Sequence, residues 1–171
     1  MAVQPIDLRV DHVRDEQSPH VILEYGDYEC PYSRAAYRAI ETVQRTLGGE
    51  VAFVFRHFPL TDIHPHALAA AFAAEAAAQQ QRFWEMHDLL YHNQKALEES
   101  DLRGYATEVG LDLAIFERDR TGAGVEARVR RDVDSGIASG DVQGTPTLFI
   151  DGALHDGATD SESLIAAIRR L

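Results

Sequence analysis

Residues 20–56, HVILEYGDYECPYSRAAYRAIETVQRTLGGEVAFVFR, decide how this chain is read. The first seven, HVILEYG, are rich in β-branched and aromatic side chains and end at glycine, as a buried strand does. Pro31 follows Cys30, and proline is favoured at the first helical position, where its missing N–H would have no helical partner. Tyr37, Ile40, Val43 and Leu47 then recur three and four apart, the spacing of one helix face. Gly48-Gly49 ends the helix, and VAFVFR (51–56) is a second strand.

Working outward, the chain from Pro65 to Ser139 reads as helices. Ala67–Gln81 is dominated by alanine, the best helix former. Phe83, Met86, Leu90 and Tyr91 fall on one stripe, and so do Leu102, Tyr105, Ala106 and Val109. Val125, Val129, Val133 and Ile137 sit four apart, which predicts another core-facing stripe. Strand signals return at TLFID (147–151), with a turn at Gly152 and a short partner at Ala153–His155. Thr159 and Glu162 have the spacing of a capping box for a last helix carrying Leu164, Ile165, Ile168 and Leu171. The expected order is βαβ (1–61), a helical insertion (62–139) and ββα (140–171), in one α/β unit without repeats or linkers.

Apolar residues make up 45% of the 171 and charged residues 26%, the profile of a globular protein. The formal net charge is −12, which sets the chain against phosphate backbones and anionic lipid. Nucleic acid and membrane are therefore not expected partners. No apolar run has the length of a membrane span. The amino end lacks the basic start and apolar stretch of a secretory signal, so the expected setting is cytoplasmic.

One cysteine is present, so no internal disulfide forms. Isolated cysteines are commonly small buried apolar residues. Cys30, however, opens a helix, where unpaired N–H groups and the helix dipole favour a thiolate. Arg34, one turn on, adds positive charge, while Glu24, Asp27 and Glu29 oppose it. His57, His64 and His66 include two histidines flanking Pro65, but without a clear third ligand they make no recognisable metal site.

YGDYECPYS (25–33), FRHFPL (55–60), FWEMHDLL (83–90) and GTPTLFIDG (144–152), in this order, resemble the DsbA-like branch of the thioredoxin superfamily over nearly the whole chain. The resemblance implies a thioredoxin fold interrupted by a helical domain, a cis peptide before Pro146 and thiol–disulfide chemistry at Cys30. It assigns Glu24 the role of a buried acid that moves protons to and from the site, against the alternative of a solvated strand carboxylate. It assigns Thr145 a backbone that pairs with an extended substrate, with Pro31 and Tyr32 beside it. Ser33 departs from the family pattern, in which a second cysteine releases the mixed disulfide. Its hydroxyl is a candidate donor to the Cys30 thiolate. A natural one-cysteine member and a Cys-to-Ser trapping variant both fit.

The implied activity is reduction, isomerisation or deglutathionylation through one thiol. It needs no cofactor beyond glutathione as a candidate co-substrate, and its partners are protein or glutathione disulfides. A glutathione-dependent transferase or isomerase and a non-enzymatic peptide-binding module are the alternatives.

Overall fold

The computed structural model describes residues 3–171. Its elements run β1 (His12–Arg14), β2 (His20–Gly26), α1 (Pro31–Leu47), β3 (Val51–His57), α2 (Ala67–Gln79), α3 (Phe83–His92), α4 (Glu99–Glu108), α5 (Leu113–Arg120), α6 (Ala123–Ser139), β4 (Thr147–Ile150), β5 (Ala153–Leu154) and α7 (Ser161–Ile168). This is a thioredoxin-like α/β fold carrying a helical insertion between β3 and β4. The strands form one sheet in the order β1-β3-β2-β4-β5. β2 lies at its centre, parallel to β3 and antiparallel to β4, with Glu24 opposite Phe55 on one side and Leu148 on the other.

Both faces of the sheet are covered, which is why β2 and β3 read as nearly unbroken apolar runs. Side chains alternate across a strand. Ile22, Phe53, Phe55, Leu148 and Ile150 enter the larger core with α1, α2, α3 and α7. Leu23, Tyr25, Val54 and Phe149 enter a smaller one with Val3 and Val142. Burying a Leu, Ile or Phe side chain is worth about 1.5–3 kcal/mol, so these positions set the strand register. Glu24 takes its turn in the alternation on the larger core's face.

Four features differ from the reading of the sequence. The three-residue β1 pairs antiparallel with β3 and had no periodic signal. Its place depends on Asp11 just before it, which forms an ion pair of 2.9 Å with Arg56 of β3, both fully buried. The short α5 is capped by the Asp112 side chain and buries only Phe116, too little for a stripe. On α6, Val125 and Val129 are buried but Ile137 is exposed, and Asp132, Ser135, Gly136 and Ser139 take the inner face instead. Residues four apart advance more than one turn, so such a row drifts around the helix. The last helix is capped by Asp160, whose side chain accepts the Ser163 N–H at 2.9 Å, rather than by Thr159. That helix ends at Ile168, and Leu171 lies beyond it, exposed.

Among the described residues no helix is long and apolar enough to cross a membrane.

Candidate active site around Cys30

Cys30 is the N-cap of α1, in extended conformation (φ −72°, ψ 121°), and Pro31 starts the helix. The helix begins here because proline cannot continue the preceding ladder and its fixed φ suits the first turn. The Cys30 side chain is buried and its thiol donates to the Thr145 carbonyl oxygen at 3.3 Å. The Thr145–Pro146 peptide beside it is cis. Pro31 and Tyr32 are exposed, Tyr32 to 73%, while Thr145 and Pro146 are half-buried.

The turn before Cys30 is organised by Asp27. One of its carboxylate oxygens accepts the Glu29 and Cys30 N–H groups at 2.7 and 3.2 Å. The other accepts the Leu60 N–H at 2.8 Å and meets His64 Nδ1 at 2.8 Å. Glu29 receives the His66 N–H at 2.7 Å and the ring Nδ1 at 2.9 Å, and His66 Nε2 reaches Glu98 at 3.2 Å. The bond to Glu29, aided by Glu98, raises the His66 pKa above its ordinary value. Gln94 closes the far side, donating to the carbonyls of Tyr28 and Cys30, both at 2.8 Å. His64 and His66 thus anchor loop carboxylates. Among the described residues no group of three or more His, Cys, Asp or Glu side chains is arranged to hold a metal.

Ser33, fully buried one turn below Cys30, is turned the other way. Its hydroxyl oxygen accepts the Asp27 N–H at 3.3 Å, and Cys30 bonds Thr145 instead. No hydrogen bond joins Ser33 to the protonated cysteine sulfur, whose thiol hydrogen goes to Thr145. Glu24 is also fully buried, and neither carboxylate oxygen has a hydrogen-bond partner. It is not the solvated carboxylate of the alternative reading. Burial alone pushes its pKa up to about 8, since ionisation there is uncompensated. Gly26, next on the same face, has no room for a side chain: a Cβ would lie 2.4 Å from the Phe55 ring and 2.8 Å from a Glu24 oxygen.

The sequence reading missed Gln94 as a clamp and Asp27 as the organiser of the turn. The Asp27 bonds to Glu29 and Cys30 are local, but its bonds to Leu60 and His64 and both Gln94 bonds join residues 33 to 66 apart, which no local pattern marks. Lys95, on the rim of the clefts beside this loop, did leave a signal: it is the chain's one lysine.

The comparisons agree with this geometry. The family model described as thioredoxin matches residues 11–170. A thioredoxin-like oxidoreductase from Silicibacter pomeroyi superposes with a TM-score of 0.83 at 27% identity, covering 94% of this chain and 91% of that one. BdbD from Bacillus subtilis does so with a TM-score of 0.82 at 21% identity, over 99% of this chain and 96% of that one. Among curated proteins, a Na(+)/H(+) antiporter NhaA 1 of Salinispora arenicola is 45% identical over 96% of this chain and 25% of its own length. NhaA 3 of Salinispora tropica is 46% identical over the same shares. The chain spans about a quarter of the length of these curated relatives. With its central sheet, its helical insertion and its family match over residues 11–170, the chain belongs to the thioredoxin family.

Proposed function

We propose that the chain is a thiol–disulfide oxidoreductase acting through the single thiol of Cys30. The observation that carries this reading is the pairing of Cys30 at the start of α1 with the Thr145 carbonyl, while residue 33 has no sulfur. The Cys30 thiolate attacks a disulfide, a new sulfur–sulfur bond forms, and the displaced thiolate takes a proton from water. An external thiolate then attacks the adduct, forms a disulfide with the bound partner and expels Cys30. Reduction, isomerisation and deglutathionylation all follow this course, with glutathione as co-substrate and no resident cofactor. Net oxidation of dithiols does not. Glu24, Ser33 and Pro146 form the inner part of the site, and Pro31, Tyr32 and Thr145 its substrate-facing part. Glu24, poised near neutrality by burial, is the group that exchanges a proton with the sulfur. Mass spectrometry after exposure to hydroxyethyl disulfide tests the first step, with Cys30→Ser as the blank. Turnover with excess glutathione tests the second, and no rate above the blank would leave only a binding module.

A second reading, compatible with the first, draws on the 38–46% identity to parts of Na(+)/H(+) antiporters. The chain serves as the thiol module of such a transporter, on its cytoplasmic side. Sodium–proton exchange in inverted vesicles, with the Cys30 thiol free and then alkylated, tests this. Identical exchange rates would oppose it.

A further inference from the structure

Beside the first turn of α1 lies a cleft of about 280 Å³ lined by Arg34, His92, Asn93, Gln94, Lys95 and Ala96. It holds no carboxylate, in a chain whose net charge is −12. Arg34 donates from Nη2 to the His92 carbonyl at 3.2 Å, which fixes the guanidinium at the junction of α1 and the end of α3 and leaves its other donors unused. Most arginines of the chain pair with acids, but among the described residues neither Arg34 nor Lys95 lies within ion-pair distance of a carboxylate. The acids of the adjoining cleft, Glu29 and Glu98, are already bridged by His66. The Arg34 backbone N–H and the Gln94 side chain both donate to the Cys30 carbonyl, at 3.1 and 2.8 Å, which ties two lining residues of the cleft to the backbone of the cysteine.

We infer that this cleft recruits the resolving thiol, and that this thiol is an anionic one bearing a carboxylate, held by Lys95 and Arg34 while its sulfur attacks the Cys30 adduct. The inference rests on the single-thiol reading above and adds the place where the carboxylate of such a co-substrate, glutathione included, is held. The carboxylated thiolate forms a disulfide with the bound partner, Cys30 leaves as thiolate, and the partner departs in that new disulfide. A second equivalent then attacks the new disulfide in solution, freeing the original partner. Two thiols are oxidised to one disulfide, and the original disulfide is reduced.

The full chain is first converted to its Cys30 mixed disulfide with 2-mercaptoethanol, checked by mass. Resolution is timed with 3-mercaptopropionate, 2-mercaptoethanol and 2-aminoethanethiol, each rate divided by that on hydroxyethyl disulfide to remove intrinsic reactivity. Two charge contacts at about 0.2–1 kcal/mol each predict roughly a two- to thirtyfold preference for the anionic over the neutral thiol, with the cationic thiol slowest. The preference should shrink in 0.5 M salt and vanish in Lys95→Glu. Arg45→Glu, the same charge reversal at the other end of α1, should keep it. Equal normalised rates in the wild-type chain, or equal loss in both variants, would overturn this inference and leave the single-thiol chemistry standing. Failure to form any adduct would overturn both.

Discussion

The Cys30 thiol donates to the carbonyl oxygen of Thr145 across 3.3 Å, although 115 residues separate the two in the chain. This contact joins the end of the β2–α1 turn to the loop before β4. It makes the neighbourhood of the sulfur a product of both halves of the thioredoxin core.

Ser33→Cys should convert the protein to a dithiol enzyme. Residues three apart on a helix have Cα atoms about 5 Å apart, within the range that a disulfide spans. Under mild oxidation the variant should lose two free thiols by mass, and a substrate adduct at Cys30 should be released at a rate independent of glutathione. Two free thiols persisting under oxidation would mean that residue 33 is not placed to resolve Cys30.

Glu24→Gln should change stability in a pH-dependent way. The native carboxyl holds its proton up to about pH 8, whereas the unfolded one releases it near 4.5. The folded state thus binds the extra proton between these values, and wild-type stability falls as pH rises through that window. The amide variant lacks this penalty, so it should gain on the wild type by a few kcal/mol from pH 5 to pH 9. Urea melts at the two pH values provide the comparison, and parallel behaviour would contradict the buried acid.

Arg56→Met should cost about 3–5 kcal/mol, because it takes from the buried Asp11 carboxylate its one fully buried partner and leaves it the more exposed Arg131. Burial opposes ionisation of Asp11, but the bonds from Arg56 and Arg131 outweigh it and hold the carboxyl well below its usual range. Glu75 behaves alike, burial being outweighed by His12 and His57 at 2.8 and 2.7 Å. Both groups stabilise the fold above the unfolded carboxylate pKa, and that contribution is lost as pH falls below it. Adding Asp11→Asn to Arg56→Met should restore part of the loss in the same melts; no recovery would rule out the stranded charge as its cause.

Gln94→Ala should remove both side-chain bonds to the turn at about 0.5–1.5 kcal/mol each. Amide exchange at Asp27–Cys30 should then accelerate while β2 and β3 remain protected. Uniform acceleration across the sheet would show that Gln94 supports the whole fold rather than the loop.

How legible all this was in the sequence depends on how local each cause is. The strands and α1 follow from unbroken β-branched and aromatic runs and from a three-and-four spacing, and the sheet is built on them. Cys30 and Pro31 announced a helix start because capping chemistry acts within one turn. The setting of the thiol was far less visible. Whether Ser33 would face Cys30 or the Asp27 N–H depends on loop geometry, and no spacing rule encodes it. The Asp11–Arg56 pair, which positions β1, joins residues 45 apart and has no periodicity to read. On α6 the row of valines was misleading, because the buried face also carries Asp132 and Ser135, which bond the His57 N–H and the Tyr25 hydroxyl of the sheet.

The hold that Asp27, Glu29 and Tyr28 have on Leu60, His64, His66 and Gln94 also orders events in the making of the protein. A nascent strand–helix–strand segment contains the cysteine and the start of its helix, but none of the partners from 64 onward that shape its turn. Closing loops of this length precedes any reward from the contacts. The thiol therefore emerges from the ribosome before the surroundings that govern it, and acquires them only when the helical insertion has folded back onto the core.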